Sequence, residues 1–186
     1  MNIWNRYQER TYGNDPKELL VEFLKEHNIK SAVDLGCGSG NETVYMAKMK
    51  IRVYAIDSTL NRDYILKRLN TSERRLVTFI EGKFEDVIIP KTDLVTANFS
   101  LPFCDSERFN EVWHKIYDSL ETDGYFVGQL LGIKDSWYNK DYINTFTKGE
   151  INELLKIYSK VECKDMFHYD ERLKKDWHYY NIIGRK

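Results

Sequence analysis

The stretch Ala32-Val33-Asp34-Leu35-Gly36-Cys37-Gly38-Ser39-Gly40 constrains the fold of this chain more than any other, because an apolar run ends in an acid and three alternate glycines. Such a run predicts a short buried strand. Glycines in the tight turn after it bring the main chain directly against a ligand at the N-terminus of the next helix. A helix is predicted from Asn41 to Lys48, and a second strand over Ile51-Arg52-Val53-Tyr54-Ala55-Ile56, ending in Asp57. Together these make a βαβ unit of the nucleotide-binding kind, in which an acid about 20 residues past the glycines accepts hydrogen bonds from ribose hydroxyls. Asp57 stands at that place. Its alternative role is a helix cap, since Asp57-Ser58-Thr59 precedes a helical stretch from Arg62 to Leu69.

The rest of the chain continues the alternation. Asn14-Asp15-Pro16 predicts a helix start, with a capping side chain and then proline in the first turn, ahead of Leu19, Leu20, Phe23 and Leu24. Strands are predicted at 76–80, 93–98 and 124–131, helices at 106–120 and 148–158, and two closing strands at 161–167 and 177–183. In the first of these helices Phe109, Val112, Trp113, Ile116, Tyr117 and Leu120 recur every three or four residues and form one core stripe. The closing strands are joined by a polar segment without helical pattern, so they are expected to pair as an antiparallel hairpin.

The 186 residues, with three prolines, ten glycines and no linker-like tract, predict one domain over 1–186. A net charge of −1 from 28 basic and 29 acidic residues spread along the chain argues against a nucleic-acid partner. Three cysteines without C-x-x-C spacing argue against a disulfide framework, and the four histidines lack metal-ligand spacing, so no metal site is expected. No stretch is apolar and long enough to span a bilayer or to act as a secretion signal, which predicts a cytoplasmic protein with no membrane role. Nothing in the pattern fixes an oligomeric state.

The spacing decides among nucleotides. A dinucleotide fingerprint G-x-G-x-x-G requires glycine at position 41, where this chain has Asn. Glycines at 36, 38 and 40 with Asp34 upstream resemble motif I of the class I S-adenosylmethionine-dependent methyltransferases, roughly acid-x-G-x-G-x-G. The resemblance implies an α/β Rossmann-like fold: a seven-stranded, mostly parallel sheet with an antiparallel last strand beside the fifth and helices on both faces. It also implies S-adenosylmethionine as cofactor, held by Asp34, Gly36, Cys37, Gly38, Gly40, Asp57 and Ser58. The loop after the third strand often carries an acid for adenine; Lys83 occupies that place here, leaving Phe84, with Glu85 or Asp86 as substitute acids. Asn98 and Phe99, after the fourth strand, correspond to motif IV at the methyl-transfer end, without the N-P-P-Y pattern of many nucleic-acid and protein amino-methyltransferases.

Leu101-Pro102-Phe103, Gly132-Ile133-Lys134-Asp135-Ser136-Trp137 and Trp177-His178 resemble a bacterial group of small methyltransferases grouped with tellurite-resistance-type enzymes. That resemblance narrows the fold and not the substrate; with nearly all of the 186 residues used by the core fold, little remains for a large recognition surface, which favours a small-molecule acceptor, facing Tyr7, Phe103, Trp137 and Trp177. His178, and less directly His168, are candidate bases because an imidazole titrates near neutrality. The segment 1–15 resembles a cofactor-capping arm, with Arg10 placed to pair with the methionine carboxylate and Tyr7 to close the pocket. Methylation of a protein or RNA partner, a non-catalytic S-adenosylmethionine-binding module and an NAD-dependent oxidoreductase are the alternatives.

Overall fold

Ser31–Leu35 forms the first strand, β1, and all five of its residues are buried, as a central strand covered on both faces requires. The computed structural model describes residues 3–186. Ahead of β1 stand α1 (Ile3–Thr11) and α2 (Glu18–Glu26); after it come α3 (Asn41–Lys48), β2 (Arg52–Asp57), α4 (Arg62–Leu66), α5 (Thr71–Arg74) and β3 (Val77–Glu81). Then follow β4 (Thr92–Ala97), α6 (Phe109–Ser119), β5 (Leu120–Gly132), β6 (Thr145–Phe146), α7 (Lys148–Leu155), β7 (Lys160–Asp170) and β8 (Lys175–Arg185).

The sheet order is β3-β2-β1-β4-β5-β8-β7, with the two-residue β6 paired to β5. The first five strands pair in parallel, and β8 is antiparallel to both β5 and β7. This is the Rossmann-like arrangement expected from the resemblance, with one short strand added.

Alternation along β1 divides the core. Ala32 meets Leu20, Phe23 and Leu24 of α2 and Met46 of α3. Val33 and Leu35 meet Val112, Trp113 and Ile116 of α6, with Ile151 and Leu155 of α7. Each such side chain taken out of water contributes roughly 1.5–3 kcal/mol, so the apolar stripe of α6 is core, as its spacing predicts. The Trp113 indole N–H also donates to the Leu154 carbonyl at 2.9 Å, tying α6 to α7.

Several boundaries differ from expectation. The Asn14 N–H closes the turn after α1 on the Thr11 carbonyl, so Asn14-Asp15-Pro16 finishes one helix rather than opening the next. Helix α2 starts at Glu18, and its cap position, Lys17, makes no side-chain capping bond. Strand β5 begins at Leu120, four residues early, through an irregular register between Thr92 and Leu94. The closing hairpin is longer at both ends than predicted. Since β4 stops at Ala97, opposite Gly128, while the hairpin remains paired out to Asp170 and Lys175, β5, β8 and β7 overhang the parallel strands. Among the described residues no helix is long and apolar enough to cross a membrane.

Candidate functional site

The glycine loop fills the space between β1 and α3. Gly36 and Gly40 take left-handed φ values of 78° and 75°, and a Cβ on either would overlap the protein itself, Ser100 in one case and Ile65 in the other. Gly38, at φ 53°, has nothing within 4 Å of a Cβ position. Its open side faces a cleft of about 2090 Å³ that Gly36, Gly38, Asp57, Ser58, Phe84, Asn98 and Phe99 also line. A site for one small ligand occupies roughly 300–1,000 Å³, so this cleft has room for two molecules side by side.

Asp57 holds the loop to β2: one carboxylate oxygen accepts the Gly38 N–H and the other the Thr59 N–H, both at 2.8 Å. Burial raises its pKa, against those two bonds. The helix cap that was its alternative role belongs to Asn61, whose side chain accepts the Tyr64 N–H.

Several expected cofactor contacts lie outside the cleft. Asp34 shares the face of Ala32, so its side chain is buried under α3, where it accepts the Thr43 hydroxyl at 2.5 Å. Burial first, then the charge of Glu42, push it up to about 8. The Cys37 side chain packs with Val44, Ala47 and Ile65, and its N–H bonds the Ile56 carbonyl. Gly40 is closed off by Ile65. Of the substitute acids, Asp86 pairs with Arg108 at 2.9 Å, and Glu85, at the cleft edge, accepts the Asp105 N–H at 2.6 Å.

Helix α1 lies across the loop. Gln8 donates to the Thr59 carbonyl at 2.6 Å, Thr11 meets Ser39 through their hydroxyls at 3.1 Å, and Asn41 donates to the Thr11 carbonyl at 2.9 Å. Arg68 joins the two sides, bonding Asn41 and the Ser39 carbonyl beneath the Tyr12 ring. Tyr7 and Arg10 line the cleft from this helix; Met1 and Asn2 of the expected arm lie outside the described residues.

At the far end the strand period decides which side chains enter. Trp177 and His178 are neighbours on β8 and so point to opposite faces. Trp177 lines the cleft. His178 is 3% exposed on the other face: its Nδ1 accepts the Lys134 N–H at 2.9 Å, and its Nε2 lies 3.0 Å from Asp165. With both ring nitrogens engaged away from the cleft, the candidate base is corrected. Its register neighbour is different: His168 sits opposite Trp177, and among the described histidines it alone lines the cleft. Cross-strand register is what places this second candidate on the cleft side.

Phe103, Trp137 and Trp177 line the same end. Behind the two tryptophans lies a contact not anticipated from sequence, a buried ion pair in which Lys175 Nζ is 2.6 and 2.7 Å from the Asp135 carboxylate oxygens. The same ammonium is 4.0 Å from the Trp137 ring centre and 3.4 Å from that of Trp177. Burial lowers the Lys175 pKa, against the Asp135 hydrogen bond.

A glycine-loop cleft at the carboxyl ends of these strands, under a sheet with this order, defines the class I S-adenosylmethionine-dependent methyltransferases. The family model described as "Methyltransferase domain" matches residues 33–128, over half of the chain, and the chain belongs to that family. A probable S-adenosylmethionine-dependent methyltransferase, CRG1, of Saccharomyces cerevisiae is 28% identical over 173 residues, covering 81% of this chain and 58% of that protein. A carboxy-S-adenosyl-L-methionine synthase of Nautilia profundicola is 28% identical over 115 residues, covering 59% of this chain and 47% of the synthase. The chain thus spans about half the length of these curated relatives. In fold it is similar to TehB from Haemophilus influenzae, with a TM-score of 0.74 at 17% identity, over 98% of this chain and 66% of TehB.

Proposed function

We propose that this chain moves the methyl group of S-adenosylmethionine to a small-molecule acceptor and releases S-adenosylhomocysteine. The observation that carries the proposal is one continuous cleft, with the glycine loop and Asp57 at one end and a ring-lined wall at the other. The residues fit the cofactor. Space stands open before Gly38, and the side-chain oxygens of Gln8 and Asn98, both on cleft-lining residues, are buried without a hydrogen-bond partner. An ammonium and ribose hydroxyls bring the donors such oxygens need.

In this reading Asp57 and Ser58 hold the ribose, Phe84 packs on the adenine, and Asn98 and Phe99 flank the methionine part, whose carboxylate Arg10 meets. Bound there, the cofactor would supply a methyl carbon activated by its sulfonium for transfer to the acceptor. The chain's own part is alignment, exclusion of water beneath α1, and a nearby group for the acceptor's proton, which is His168. Tyr7, Phe103, Trp137 and Trp177 bound the acceptor.

Calorimetric titration tests the cofactor; S-adenosylmethionine is expected to bind and NAD not to, and the reverse result ends the proposal. Mass spectrometry of the protein incubated with S-adenosylmethionine and a metabolite library then reads the reaction. Release of S-adenosylhomocysteine supports transfer. A carboxylated cofactor would instead move the chain to the reaction named for its Nautilia relative, and turnover only with protein or RNA would overturn the small acceptor.

A further inference from the structure

The acceptor end of the cleft carries two features that bear on the chemical class of the acceptor. The first is a continuous chain of rings, all lining the cleft. Phe103 and Trp137 have centroids 6.1 Å apart, Trp137 and Trp177 5.6 Å, Trp177 and Phe99 5.4 Å, Phe99 and Tyr179 5.0 Å, Tyr179 and His168 5.9 Å. None of the six is buried, in contrast to the core aromatics Trp113 and Phe126. Rings packed for stability alone are enclosed; these present surface to the cleft. Phe99 adds a backbone reason. It holds φ at 54°, a left-handed conformation disfavoured for a bulky residue and found where surrounding structure fixes a functional position.

The second feature is the floor. Gln129 pairs with Asn181, and Asn181 with Lys164, so one row of polar side chains crosses β5, β8 and β7, with Asn98 just past the end of β4. All four line the cleft. Gln129 is 2% exposed; its amide nitrogen donates to Asn181 at 3.2 Å, while its carbonyl oxygen, like that of Asn98, is buried with no donor. Orphaned buried acceptors are costly and rare; with the Asn98 oxygen assigned to the cofactor, that of Gln129 at the foot of a ring wall points to a methyl acceptor that donates a hydrogen bond.

We infer that the acceptor is a flat aromatic or heteroaromatic molecule that lies against the Phe99–Trp177–Tyr179 wall and donates an O–H or N–H to Gln129. The inference rests on the methyl-transfer reading for the word acceptor, while the binding site itself stands on the rings and the floor. A cationic acceptor caged between the two tryptophans is disfavoured, because Lys175, held by Asp135, already supplies the cation there.

Three matched probes separate the two features: 2-naphthol has a flat ring and a donor, 2-methoxynaphthalene keeps the ring without the donor, and decahydro-2-naphthol keeps the donor without the ring. Each is titrated calorimetrically into protein saturated with S-adenosylhomocysteine, and into unloaded protein. The expected result is that 2-naphthol binds about tenfold or more tightly than either relative. Gln129→Leu should erase the preference for naphthol over its ether, and Trp177→Leu the preference over the saturated alcohol, with S-adenosylhomocysteine binding retained in both. Equal binding of the three, binding of none, or preferences unmoved by both variants would overturn the inference. Failure of S-adenosylhomocysteine to bind the unmodified protein would instead defeat the cofactor reading, and the probes are then decided on unloaded protein.

Discussion

At the glycine loop the cleft surface is main chain: Gly36 and Gly38 expose their backbone, and the Asp57 carboxylate steadies it by accepting two peptide N–H groups. At the acceptor end the surface is side chain, drawn from the loop after β4, the loop after β5 and both strands of the hairpin. The loop is made from residues adjacent in sequence, where a missing Cβ matters. The acceptor end is made from segments up to about 80 residues apart, where the face a side chain takes matters. A site built from backbone tolerates little change in residue type, whereas a wall of side chains can be rebuilt one position at a time.

The sharpest way to break this comparison is within the glycine loop. Gly36→Ala combines left-handed strain with overlap on Ser100 and is expected to lower stability by about 2 to 5 kcal/mol in thermal or urea unfolding. Gly38→Ala meets no neighbour; it should cost about 1 to 2 kcal/mol of strain and stay folded, but lose most of its affinity for S-adenosylmethionine in calorimetry. Equal destabilisation by both would mean that the open side of Gly38 is not a ligand face.

Beneath that loop, the raised pKa of Asp34 makes stability depend on pH. Its protonated form is favoured by folding, so the contribution is complete below about pH 4 and is lost as pH rises through about 8. Melting temperature should therefore fall between about pH 4 and 8, and Asp34→Asn, neutral throughout, should flatten that decline. An unchanged slope would show that the carboxylate is charged in the folded protein.

Asp57→Ala should weaken S-adenosylmethionine binding by about 1 to 3 kcal/mol through lost charged hydrogen bonds, leaving the wall's affinity for aromatic probes intact. Smaller effects separate the two histidines. His178→Gln should cost about 1 to 2 kcal/mol of stability, from its Lys134 and Asp165 contacts, with turnover per folded molecule unchanged. His168→Gln should leave the melting temperature in place while lowering turnover about tenfold or more. Reversal of that pattern would return the role to His178.

The same contrast explains what could be read in advance. Alternate glycines, the apolar run before them and Asp57 are close together in the chain, so spacing announced the βαβ unit; the stripe on α6 and the final hairpin were equally visible. Asp34 was read as facing the ligand because it precedes the glycines, yet strand alternation turns it under α3. Likewise Trp177 and His178 were assigned together to the cleft, although a period of two allows only one of them in. His168, the second candidate base, is placed on the cleft side by its pairing with Trp177, which depends on a hairpin register the sequence does not state.

The overhang of β5, β8 and β7 has a consequence for how such a chain diversifies. Inward-facing positions alternate with outward ones along the hairpin, so every second residue is free to alter the guest, while on β8 the intervening Tyr180 and Ile182 stay in the core with α6 and α7. A lineage exchanging one acceptor for another would therefore be expected to scatter its substitutions at intervals of two along 164–170 and 175–181, leaving the turn after β1 untouched.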